Sequence, residues 1–201
     1  MPVLRAALGF KLHTGWATLV AAALRSDKIE VLLRRRVELL PADGSIPRFV
    51  YHTAAELEGP EQAALVKRAA AGAQKTGRSA LQEIVESLRR WEVTIDTAAI
   101  PTGSTKVPAD LGRILGSHPL IHAAEGALFQ HAAAHACERC GLTVVTVRER
   151  DVLTRAAEAC RTDLPAFQHK LDTLRKTVGP PWGADQKTAT AAALVALSGR
   201  I

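Results

Sequence analysis

A carboxylate set inside an apolar stripe is the most chemically pointed feature of this 201-residue sequence. Ile121, Glu125, Leu128, Phe129, Ala132 and Ala136 recur at helical spacing and define one face. Glu125 therefore falls where a helix should pack on its neighbours, and a buried carboxylate must be paired or hydrogen-bonded. Lys11, Lys187 and nearby His122 are the cationic partners the sequence offers. Two readings stay open: a structural residue, either a buried ion pair or a glutamate that escapes to solvent near the helix start, or a reactive acid. His118, His122 and Glu125 also share one side of the helix, which is a ligand pattern for a metal, but no matching ligand set occurs elsewhere. Asp185 opens the last helix, where a short acid serves either as an N-cap or as a site residue, and Lys187 follows close behind it.

Other suggestive groups carry less chemistry. Cys137-Glu-Arg-Cys140, with His131 and His135 upstream, invites a zinc reading, but there is one CxxC only and the histidines fall on a different face. A redox CxxC belongs at a helix start after a strand, whereas this one ends a helix. Gly72 to Ser79 approximates a phosphate-binding loop with Arg78 in the lysine position, yet a helical pattern rather than a strand leads into it. It is expected to be a glycine-marked break between two helical pieces. Arg34-Arg35-Arg36 alternates faces in a strand; Arg34 and Arg36 share one side and could touch phosphates.

Composition sets outer limits. A hydrophobic content of 47% with 23% charged residues suits a globular core, and the length suits one domain, residues 1–201. The formal charge of +6 permits nucleic-acid binding without requiring it. Three irregularly spaced cysteines argue against a disulfide framework and for a reducing, cytoplasmic setting. No apolar run approaches the ~20 residues of a membrane span, so a membrane is not expected as a partner. Trp16 to Leu24 is too short for one, and Lys11 and His13 interrupt any leader ahead of it.

Positioning these groups falls to a sheet that opens the chain. From Val3 to Leu40 the pattern is three strands joined by turns at Thr14-Gly15 and Arg25-Ser26-Asp27. Leu4, Ala6, Leu8, Phe10 and Leu12 line one face of the first strand; Ile29, Val31, Leu33, Val37 and Leu39 line one face of the third. Pro41 to Gly59 reads as a connection in which Phe49-Val50-Tyr51 adds a short strand or simply packs. Helix follows from Pro60, then a strand over Thr94 to Ile100, a helix from His118 to the cap at Gly141, and an apolar strand over Leu142 to Val147. That last strand, rich in valine, should be central or flanked by helices. Helices over Asp151 to Cys160, Leu164 to Val178 and Asp185 to Leu197 complete the chain. The first, fourth and fifth strands should be parallel, joined by right-handed helical crossovers.

This order resembles the ribonuclease H-like fold, and within it the RuvC-type Holliday-junction resolvases and their YqgF-type relatives. The similarity runs over nearly the whole chain: Leu8-Gly9-Phe10 and Thr14-Gly15-Trp16-Ala17 in the first hairpin, Ala123 to Gly141 leading to Leu142-Thr143-Val144, and Gly-Pro-Pro before Asp185 and the alanine-rich helix. It implies an α/β domain with a five-stranded mixed sheet, a three-strand antiparallel meander plus two parallel strands, and helices on both faces. It also implies a nuclease site in which carboxylates hold two divalent cations. The resemblance puts one aspartate in the window Gly9 to Leu12, where this chain has Lys11 instead; no acid precedes Asp27. The acid expected near Pro101 is matched only by Asp96 in a shifted register. The closing pair falls on Lys187 and Thr190, or on Asp185 and Thr188. Magnesium or manganese is therefore disfavoured, and no cofactor is expected.

Ligands of an open sheet bind beyond the carboxyl ends of its parallel strands. That edge should collect Lys11, His13, Thr102 and Ser104, with His122 and the starts of two helices nearby, an arrangement favourable to anions. Three functions compete. The favoured one is a catalytically degenerate RuvC-like protein that binds nucleic acid or a protein partner. The others are an active nuclease or phosphate-handling enzyme built on Glu125, Asp185 and Lys187, with Asp96 a weaker candidate, and a structural protein that self-associates, as in a homodimer.

Overall fold

The computed structural model describes residues 4–199. Strand β1 (Leu4–His13) pairs antiparallel with β2 (Trp16–Arg25), which pairs antiparallel with β3 (Lys28–Glu38). Helices α1 (Val50–Ala55) and α2 (Pro60–Arg90) lead to β4 (Val93–Thr102), which lies parallel to β1. Helices α3 (Leu111–Leu115) and α4 (His118–Arg139) lead to β5 (Thr143–Arg148), parallel to β4. A 3₁₀ turn over Glu149–Asp151 then feeds α5 (Val152–Ala159), α6 (Leu164–Thr173), α7 (Arg175–Val178) and α8 (Ala184–Ser198). The sheet order is β3-β2-β1-β4-β5, a mixed five-stranded sheet with helices on both faces. Among the described residues no helix is long and apolar enough to cross a membrane.

Alternation in β1 sorts its side chains as the sequence requires. Ala6, Leu8 and Phe10 enter the core under α2 and α4, while Ala7 faces the opposite layer with α5, α6 and α8. Gly9 marks the closest contact between layers. A Cβ there would meet the Ala189 carbonyl oxygen at 2.0 Å and the Ala193 nitrogen at 2.3 Å, so α8 lies directly on the strand. A helix this close must present small side chains, and Ala189 to Ala196 are buried throughout.

Several local expectations give way. The third strand does not keep one apolar face: Ala21 pairs with Leu33 and Ala22 with Val31, so Leu32 is an extra residue. The bulge turns Ile29 and Val31 toward the α8 layer and Leu33 and Val37 toward α2 and α4. The expected break at Gly72 to Ser79 is absent, and α2 runs on for 31 residues. Its glycines serve packing instead: a Cβ on Gly72 would fall 2.2 Å from Ile46 Cδ1. Val50 and Tyr51 are helical rather than extended, and the Tyr51 amide donates to Glu125 of α4 instead of to a strand. Of the two expectations for β5, central or flanked by helices, the second holds: it is an edge strand with α5 and α8 covering Val145 and Val147 on one face. The helix expected over Leu164 to Val178 divides at Leu174 into α6 and α7.

The turn from α7 into α8 is tied back to β3. Arg34 donates from Nη1 to the carbonyls of Gly179 (3.0 Å) and Pro181 and from Nη2 to Val178 (2.5 Å). Trp182 is buried and donates from Nε1 to the Leu171 carbonyl at 2.7 Å. These contacts fix where α8 begins. Gly9→Ala is expected to destabilise the protein by about 3 kcal/mol, because two backbone atoms of α8 block the new methyl group. Gly103→Ala, with open space around the added Cβ, should stay within about 0.5 kcal/mol of the parent in the same urea titration.

Candidate functional site

The carboxyl ends of β1, β4 and β5 meet the start of α8 at one edge. Lys11, near the end of β1, is ion-paired with Glu149 of the 3₁₀ turn. His13, two residues on, places Nε2 2.8 Å from Asp185 Oδ2 in the first turn of α8. A carboxylate only accepts hydrogen bonds, so Nε2 carries the hydrogen in this contact. The His13 ring is also stacked on Trp16, centroids 4.1 Å apart and planes 9° from parallel. Arg36 closes the stack from the other side, its guanidinium carbon 3.7 Å from the Trp16 centroid, and donates to Glu38 at 2.5 Å. The β1–β2 hairpin end is thus a rigid column that aims His13 at α8.

Two cavities flank this edge. One of about 520 Å³ is lined by Thr102, Ser104, Arg148, Glu149, Arg150 and Thr188 among others. Thr102 donates to the Val147 carbonyl at 3.5 Å. The second, about 200 Å³, is lined by His13, His52, His122, Glu125, Gln130 and Glu149 among others. Glu149 contributes to both walls, so Lys11 sits at the divide between them.

Glu125 is buried, with 4% of its side chain exposed. Its partner is neither Lys11 nor Lys187. Oε1 accepts from the backbone N–H of Tyr51 (2.8 Å) and of His52 (3.3 Å), and it lies 3.3 Å from His52 Nδ1. The carboxylate therefore caps the first turn of α1, which has no cap of its own in Phe49. Oε2 is buried with no hydrogen-bond partner among the described residues. The Tyr51 phenol is pushed up from its ordinary value by burial first and by the Glu125 charge second.

The other residues singled out by sequence lie apart from this centre. Lys187 turns to Asp172 on α6 at 2.5 Å. Asp96 pairs with Arg5 at 3.4 Å in the early half of β4, well short of Thr102 at the carboxyl edge. Arg34 is committed to the carbonyls before α8, and Arg36 to Trp16 and Glu38. Glu125, Asp185 and Lys187 thus make three separate contacts rather than one constellation. Asp185 is not the N-cap; that position is Gly183, whose N–H donates to Gln186 Oε1 at 2.8 Å. Cys137 is buried and its thiol is driven far up by desolvation; Cys140 is shifted the same way by partial burial, against the lowering pull of Arg78 and Arg89. Neither forms a ligand group with His131 or His135 among the described residues.

Sequence reasoning missed His52 and Glu149. Glu149 was findable, since it follows the end of β5 and so belongs at the ligand-binding edge of an open sheet. Nothing local marks His52 as part of a site: besides its ring contact with Phe49, its partners Glu125, His118 and His122 lie more than sixty residues away.

Against solved structures, this path is similar to that of Thermus thermophilus RuvC. The match has a TM-score of 0.53 at 14% identity and covers 94% of this chain and 91% of that one. The fold is ribonuclease H-like. T. thermophilus RuvC in complex with a Holliday junction substrate matches as well, with a TM-score of 0.51, 14% identity, and coverage of 95% and 91%. No family model and no curated protein matches the sequence. Similarity at this identity covers the backbone path and leaves the side chains at the edge to be read on their own terms.

Replacing Glu125 by Ala removes the acceptor for two amides and one imidazole. The expected cost is about 2 kcal/mol in urea unfolding, with amide exchange at Tyr51 and His52 accelerated ahead of the sheet.

Proposed function

We propose that this chain is a RuvC-like domain that holds a nucleic-acid backbone along the carboxyl edge of its sheet and does not cleave it. The observation that carries this reading is the pairing of the acids at that edge: Glu149 with Lys11, and Asp185 with His13. Two-cation cleavage of a phosphodiester needs several carboxylate oxygens free to converge on hard divalent ions. Here a lysine stands in the β1 window where the resemblance places an aspartate, and each nearby acid already has a basic partner. This donor set does not fit two magnesium or manganese ions, and no step through them is derived.

Binding has separate support. The chain carries a formal charge of +6. Arg148 and Arg150 line the larger cavity, with Lys11 behind its Glu149 wall, and Ser104 adds a hydroxyl donor suited to phosphate oxygens. The neighbour solved with a Holliday junction substrate makes branched DNA the first probe to try. Arg34 and Arg36 serve the scaffold in this reading.

Gel shifts with a four-way junction, duplex DNA, single strands and RNA at stepped salt test the proposal. Binding should weaken linearly in log–log form as salt rises, and Arg148→Ala with Arg150→Ala should lower the slope by about one for each phosphate no longer engaged. Absence of binding at low salt overturns it. So does magnesium- or manganese-dependent cleavage that is lost in Glu125→Gln, which would instead establish an active enzyme.

A further inference from the structure

Three imidazoles converge beside the smaller of the two cavities that flank the carboxyl edge. His118 and His122 lie one turn apart on α4, and His52 on α1 faces them. One ring nitrogen from each lies within 4.8 Å of the others. The ring centroids are 4.4 Å apart for His118 and His122, 4.9 Å for His52 and His122, and 5.6 Å for His52 and His118. Among the described residues this is the one group of three or more potential ligands that converges so closely.

A second, independent observation points the same way. Glu125, three residues after His122 and almost wholly buried, touches His52 Nδ1 through Oε1 and leaves Oε2 without a hydrogen-bond partner among the described residues. A buried unpaired carboxylate oxygen is costly, and it calls for a positive charge or a bound group nearby. The contact also selects a tautomer. With Nδ1–H donated to the carboxylate, the Nε2 lone pair of His52 is free to bind a metal, and the carboxylate makes that imidazole a stronger donor.

The geometry points to a three-histidine metal site of the zinc class, with His52, His118 and His122 as ligands and Glu125 as the carboxylate that orients His52. Imidazole nitrogen suits zinc and its first-row neighbours, whereas magnesium demands oxygen ligands and is excluded by the same chemistry. Tetrahedral zinc at about 2.05 Å from each nitrogen needs nitrogens about 3.3 Å apart. The remaining closure falls to His118 and His122, both on the exposed side of α4 and able to change rotamer without disturbing the core. Three protein ligands leave a fourth position for water. His52, His122 and Glu125 line the 200 Å³ cavity, so that position opens toward His13 and Gln130. This site shares no ligand with the acids that the ribonuclease H-like resemblance would assign to cations.

Titration of the untagged full chain with zinc sulfate against a chromophoric chelator tests the inference without any nucleic acid, so its outcome is independent of the proposed binding function. One zinc per chain is expected, unaffected by excess magnesium. His118→Ala and His122→Ala, both at exposed positions, should each weaken binding by on the order of 100-fold. Glu125→Gln should weaken it by about 10- to 100-fold with the three ligands intact. Cobalt loaded in place of zinc should give the strong visible bands of a tetrahedral nitrogen site, absent in His122→Ala. His131→Ala with His135→Ala, a second one-turn pair on the same helix, should leave affinity unchanged. Zinc binding that survives His118→Ala and His122→Ala, that is lost in the His131 and His135 variant, or that never reaches one per chain overturns the site.

Discussion

The packing of α8 on β1 at Gly9 governs the geometry of the whole carboxyl edge. Two layers that touch backbone to backbone admit no side chain between them, so the strand needs glycine at that position and the helix needs a run of small residues above it. The close approach fixes the height of α8 over the sheet. Arg34 and Trp182, gripping the turn that precedes the helix, fix its start. Together they bring the first turn of α8 to the end of β1, where Asp185 meets His13. The edge geometry is therefore a consequence of packing in the layer beneath it.

At that edge charge is balanced within the chain. Lys11 and Glu149 compensate each other, as do His13 and Asp185, and all four side chains retain some exposure, so water and salt screen the pairs. A fold of this type used for metal chemistry must instead concentrate uncompensated negative charge at one point. The proposed binding role rests on that contrast, since the edge acids are paired while Arg148 and Arg150, the latter in an exposed pair with Asp151, line the larger cavity. The histidine cluster obeys a different logic. Its charge partner is a carboxylate that first satisfies the amides opening α1, so one residue secures a local helix and orients a side chain for ligation.

Alternation and helical spacing in the sequence anticipate the sheet and its order of elements, because burial of one face writes a period of two or about three and a half into the residue types. The parallel relation of β1, β4 and β5 comes from helical crossovers that can close only one way. The same signals fail where one residue changes the geometry. Leu32, indistinguishable from its neighbours, forms a bulge that reverses the faces of β3, and Gly72 reads as a helix break although it is a packing notch. Glycine is compatible with both uses, and only a neighbour such as Ile46 decides between them.

At the candidate site the division is equally plain. The sequence by itself placed Glu125 on the apolar stripe of its helix, Lys11 on the first strand ahead of any acid, and Asp185 at the opening of the last helix. Those properties belong to residue types at local spacings. Only the tertiary structure decided that Glu125 would cap α1 rather than meet a lysine, that Lys187 would turn to Asp172, and that His52 would complete a triad with His118 and His122. Such pairings depend on which helices meet in space, and short-range patterning carries no record of which elements, from 15 to more than 70 residues apart, come together.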